Sequence, residues 1–156
     1  MNSGKISPLK IFIATSITNK LAKPNEIAKL RCLVETIEYT IAKKGSMTLC
    51  AFRQESWRGE ENAAVYVPRD YGWCKTCDGA IALPEFSYGV RIEEGWLTAF
   101  NKPLLRLHKE SICHQSLMEE HLHHIAPVFD RSFNGSLDIG RHIDAFIRFL
   151  RRYYGN

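Results

Sequence analysis

The stretch "DGAIALP", residues 78–84, most limits what this chain can become. Its small and apolar residues do not alternate with polar ones, so both sides of the strand must be covered. Such strands belong to parallel sheets with helices packed on each face. Four other short runs repeat the theme: "LKIFIAT" (9–15), "SMTLCAF" (46–52), "KPLLRLH" (102–108) and "IAPVFD" (125–130).

Helical patterns lie between these runs. "PNEIAKLRCLVETIEYTIAKKG" places Ile27, Leu30, Leu33, Val34, Ile37 and Ile41 on one helical stripe. Pro24 suits its first turn, and Gly45 ends it after two lysines. "RQESWRGEENAAVYV" reads as a long connection, helical in part, and Pro68 restarts a helix in "PRDYGWCKTC". A further helix begins near Ser87 and runs to about Asn101. Residues 109–124 are polar and helical in part, and "LDIGRHIDAFIRFLRRYY" closes the chain as an amphipathic helix. Strands alternating with helices predict a flavodoxin-like (Rossmann-like) three-layer sandwich, with about five parallel strands and helices on both faces. We expect a single domain over residues 1–156, with 1–8 a flexible tail.

The chain has 156 residues, is 45% hydrophobic and 24% charged, and carries a net charge of +4. That balance is ordinary for a soluble globule and too mild for a nucleic-acid binder. No apolar run reaches membrane-spanning length and the first residues lack a signal-peptide core, so a cytoplasmic protein is expected. Five scattered cysteines do not form a disulfide framework. "CKTC" ends a helix before a strand, the reverse of the usual redox arrangement.

In a parallel sheet, ligands bind where the carboxyl ends of the strands meet the loops that follow. Residues 15–20, 52–59 and 84–89 converge there. Within "SYGVRIEEGW", Ser87 and Gly89 open a helix whose free N–H groups and dipole suit a phosphate. Glu93 lies six residues on, about 9 Å of helix rise, with its side chain tilted back. That offset suits a nucleotide held by its phosphate, with Glu93 facing the sugar carbon that carries the base. Glu94 points about 100° away, so one member of the pair can face the pocket. The same residues also make an ordinary capped helix start.

"CDGAIALPEFSYGVRIEEGWLTAFNKPLLRL" resembles the signature of the nucleoside 2-deoxyribosyltransferase-like superfamily. The matching positions are Asp78, Ser87, Gly89, Glu93, Gly95, Lys102 and Pro103. "FRQESWRG" and "RDYGWCKTCD" are similar to parts of the CMP and hydroxymethyl-CMP hydrolases and of the 2'-deoxynucleoside 5'-phosphate N-hydrolases. The resemblance spans about residues 9–108. It implies cleavage of the N-glycosidic bond in a nucleoside 5'-monophosphate, without cofactor or metal. By the same resemblance Glu93 is the catalytic glutamate, Asp70 a second acid that positions it, and Ser87 and Gly89 the phosphate loop. Phe12, Ser16, Thr18, Arg53, Trp57 and Tyr71 are implied substrate contacts, with Phe12 and "FRQESW" favouring a CMP-like pyrimidine. Thr15 and Thr18 stand where the family has glycine and arginine, and Lys20 offers a replacement charge.

The resemblance also implies a homodimer with a shared active site, in which Ser116 reaches the phosphate pocket of a second subunit. Two rival functions stay open: transfer of deoxyribose between bases, and nucleotide sensing without catalysis. Cys113, His114, His121, His123 and His124 in "CHQSLMEEHLHH" form a histidine-rich run that the family's chemistry does not need.

Overall fold

The structure, a computed structural model, describes residues 7–15, 23–57, 62–84, 88–109, 111–112 and 116–155. Among the described residues five strands form one sheet: β1 (Lys10–Thr15), β2 (Met47–Cys50), β3 (Gly79–Leu83), β4 (Leu104–Lys109) and β5 (Val128–Phe133). All four pairings are parallel, in the order β2-β1-β3-β4-β5. This is the flavodoxin-like order, with its switch point between β1 and β3.

Side-chain alternation along the strands builds two cores. Ile11 and Ile13 of β1, Ile81 and Leu83 of β3, and Leu105 and Leu107 of β4 face α1 (Pro24–Ala42) and α6 (Ser136–Tyr153). These helices answer with Leu30, Val34, Ile37 and Ile41, and with Ile139, Ile143, Phe146, Ile147 and Leu150. The opposite face carries Phe12, Ala14, Ala80, Ala82 and Leu104 beneath α3 (Ala63–Thr76) and α4 (Tyr88–Ala99). Three alanines there let the helices that carry the candidate acids sit close to the sheet. On the other side Gly79 does the same for α6: a Cβ would meet Leu150 Cδ2 at 2.9 Å.

Several expected boundaries move. The second strand ends at Cys50, and α2 (Ala51–Gln54) begins at once, so Phe52 is helical. Pro68 does not restart a helix but lies inside α3, which starts earlier. Asn62 caps that earlier start, its side chain accepting from the Ala64 N–H at 3.0 Å. The fifth strand is shifted towards the C-terminus, to Val128–Phe133. Its register against β4, from Leu104 opposite Val128 to Lys109 opposite Phe133, decides this over the apolar run at 125–130. An edge strand can expose Arg131 and Ser132, so its sequence lacks the apolar signal of an inner strand. Between β4 and β5 lie the short α5 (Leu117–Glu120) and a 3-10 turn (Leu122–His124).

Candidate active site

Because β1, β2 and β3 run parallel, their carboxyl ends share one edge of the molecule. α2 leaves β2 at that edge and is followed by Glu55. α3 and α4 pack side by side over the same face of the sheet, with Asp70 and Glu93 on them.

Arg69 gathers this region. Its Nη2 lies 2.5 Å from Glu55 Oε1 and its Nε donates to Asp70 Oδ1 at 2.8 Å. Nη2 also donates to Asp70 Oδ2 at 3.3 Å. The guanidinium sits 5.1 Å from the centroid of the Trp73 ring, and Trp73 in turn rests on Phe12 at 6.1 Å. A fully buried Phe12 thus supports a tryptophan that supports the arginine.

Glu93 carries its carboxyl into this charged neighbourhood. Its Oε2 is buried and has no hydrogen-bond partner among the described residues. Loss of solvation pushes the carboxyl well above its usual range. The charges of Asp70, Glu94 and Glu55 push the same way, and Arg69 opposes them. An enclosed carboxyl that holds its proton until positive charge arrives is an arrangement common at catalytic sites.

The turn after α2 is strained: Ser56 and Trp57 have φ of 54° and 63°, left-handed values that non-glycine residues seldom adopt. Trp57 is fixed there by an edge-on contact with Phe52 at 5.1 Å, and the guanidinium carbons of Arg31 and Arg53 each lie 5.0 Å from its ring.

The other expected contacts are distributed as follows. Arg53 is exposed and turned to α1, where its Nε donates to Glu38 Oε2 at 2.6 Å. Tyr71 packs edge-on against Trp96 and Phe100 along the α3–α4 seam, at 5.4 and 5.3 Å. Gly89 lies in the exposed first turn of α4. Ser116 is exposed and caps α5, its Oγ accepting from the Glu119 N–H at 3.2 Å. Ser16, Thr18, Lys20 and Ser87 lie outside the described residues.

Two groups escaped the sequence reading. Glu55 and Arg69 sit within quoted motifs, yet nothing in their spacing separates them from surface charges. Arg106 had a legible signal, an arginine inside an apolar strand. It is wholly buried, with Nη2 2.7 Å from Asp130 Oδ2 and donating to the Glu119 carbonyl at 3.0 Å. Its Nη1 lies 3.7 Å from Glu119 Oε1 and 4.0 Å from Glu94 Oε2. Arg91 of α4 pairs with Glu119, and His108 Nε2 lies 2.7 Å from Asp130 Oδ1. Burial raises Glu94 to about 7, although Arg106 pulls it down. Against the cost of its own burial, hydrogen bonds from His108 and Arg106 hold Asp130 below its ordinary value.

Cys74 and Cys77 are free and buried, and burial raises both thiols, Cys77 to about 11. Neither supplies the accessible thiolate that redox or metal chemistry requires.

Two solved structures share this architecture. The CMP N-glycosidase BcmB of Clostridium botulinum superposes with a TM-score of 0.62 at 23% identity, over 87% of this chain and 98% of that one. The solution structure of BlsM gives 0.70 at 23% identity, over 97% of each chain. The chain has their fold. It is the fold that the resemblance in "SYGVRIEEGW" and its flanks predicts. No family model and no curated protein matches the sequence.

Proposed function

We propose that this chain belongs functionally with the nucleoside 5'-monophosphate N-glycosidases and releases the base from a CMP-like nucleotide. The observation that carries the reading is Glu93 Oε2, buried without a hydrogen-bond partner among the described residues and in the field of Asp70. The first turn of α4, with Gly89, offers N–H groups to the 5'-phosphate. The fold shared with a CMP N-glycosidase supports the same reading.

The chemistry follows from these placements. As the base departs with the electrons of the C1'–N bond and gains a proton, C1' becomes oxocarbenium-like. Its positive charge favours ionisation of Glu93, the proton given up balances the one the departing base takes up, and the carboxylate closes on C1' to form a glycosyl ester. Water then attacks C1' as the C1'–Oε bond breaks, and the freed carboxylate takes up the water's proton, which restores the neutral acid. The products are free base and sugar 5-phosphate. Asp70, held by Arg69, positions Glu93 electrostatically and touches no reacting atom in this scheme.

A homodimer fits the surface. Tyr88 and Ile92 of α4 and Leu117 and Met118 of α5 are exposed, and the Arg91–Glu119 pair ties these two helices together. Exposed apolar side chains on adjoining elements favour self-association.

The test is a panel of ribo- and deoxynucleoside 5'-monophosphates, with chromatography of the released base. Free cytosine from CMP or a close relative is expected, and the unphosphorylated nucleoside should react far more slowly. Product that appears only when an acceptor base is added identifies a transferase. A chain that binds nucleotides and never releases base overturns the reading.

A further inference from the structure

The histidine-rich run plays no part in the proposed hydrolysis, yet it is organised. His121, His123 and His124 lie on the 3-10 turn and its cap between α5 and β5, all exposed. Each offers a ring nitrogen, and these ligand atoms all lie within 4.8 Å of one another. The His123 and His124 rings are 4.2 Å apart between centroids, with His121 at 5.8 and 5.5 Å.

The geometry points to a zinc-class site: His121, His123 and His124 form a tripod for one late first-row divalent cation. Zinc holds imidazole nitrogens at about 2.1 Å, so two such ligands stand about 3.4 Å apart. Small side-chain rotations, free at an exposed surface, bring the three nitrogens to that spacing.

The tautomer of His123 supports the assignment. Its Nδ1 lies 3.1 Å from the Glu120 carbonyl oxygen, which can only accept. In the neutral ring Nδ1 therefore carries the proton, which leaves the Nε2 lone pair open to a metal. A ligand histidine held in this way, by a backbone carbonyl on its other nitrogen, is the usual outer-shell arrangement at metal sites. Three neutral imidazoles select zinc, copper, nickel or cobalt over magnesium or calcium, which prefer oxygen. Three protein ligands leave the fourth position to water. The bound ion would clamp the turn that follows Glu119, and Glu119 bonds to Arg91 and Arg106.

The experiment uses the untagged full chain, stripped with chelator and titrated with zinc chloride by calorimetry. One ion per chain is expected. His121→Ala, His123→Ala and His124→Ala should each weaken binding at least about tenfold. His142→Ala, on α6 and bonded to the Ser132 carbonyl, should leave binding unchanged. Cobalt in place of zinc should give the visible bands of a tetrahedral nitrogen and oxygen site. Undiminished zinc binding in the triple alanine variant, a thiolate charge-transfer band from a cysteine such as the exposed Cys32, or no binding at all overturns the proposal.

Discussion

Glu93 and Glu94 are neighbours on α4, yet their carboxyls lie among different charges. Glu93 feels Asp70, Arg69 and Glu55 from α3 and the turn after α2. Glu94 feels Arg106, Glu119, Arg91 and Asp130 from α4 and the β4–β5 side. One helical step of about 100° separates the two environments. In the proposed function Glu93 serves the reaction, while Glu94 lies 4.0 Å from Arg106 and ties α4 to β4.

Glu94 makes stability depend on pH. Its carboxyl titrates near 4.5 when unfolded and at about 7 when folded. Between those values the folded chain binds the extra proton, so this contribution is present below about pH 4.5 and is lost as pH rises to 7. Glu94→Gln keeps the neutral shape and removes the titration. Urea unfolding at pH 5 and pH 8 should show the wild-type chain losing more stability over that interval than the variant. Parallel losses would place the Glu94 carboxyl in solvent.

Arg106 lies among carboxylates on three elements, buried Glu94 and Glu119 and half-buried Asp130. Arg106→Met removes the cation shared by Glu94, Glu119 and Asp130, leaves Arg91 with Glu119 and His108 with Asp130, and should cost about 3–5 kcal/mol in equilibrium unfolding. Lys29→Ala breaks an exposed pair with Glu26 and should cost about 0.5 kcal/mol or less.

The sequence made the sheet legible because inner strands here are covered on both faces, and "GAIAL" can be little else. β5 was displaced because an edge strand needs no such pattern. The candidate acids stand out as motif positions, Glu93 by its offset from a helix start and Asp70 by resemblance alone. Their clamp does not: Arg69 and Glu55 meet through a fold contact that no local spacing encodes. Arg106 carries a sequence signal of its own, since a charge amid "LLRL" in a strand covered on both faces has nowhere to go but inward.

Asp70 tunes Glu93 through its charge. Asp70→Asn removes a nearby negative group, so the Glu93 carboxyl becomes easier to ionise. The acid limb of the pH profile of kcat should move to lower pH, along with a fall in kcat from lost positioning. An unmoved limb would mean that Asp70 acts by shape alone.

The proposed homodimer would cover the exposed apolar side chains of α4 and α5. Leu117→Asp and Met118→Asp should halve the mass seen by sedimentation and reduce base release, with the monomer still folded. A wild-type chain that sediments as a monomer at high concentration contradicts the dimer.

The most direct measurement is Glu93→Gln assayed with CMP and with the best substrate of the panel. Nucleotide binding should persist within a few-fold, while base release falls by about a thousandfold or more. A variant that releases base at the wild-type rate would contradict the account at its centre.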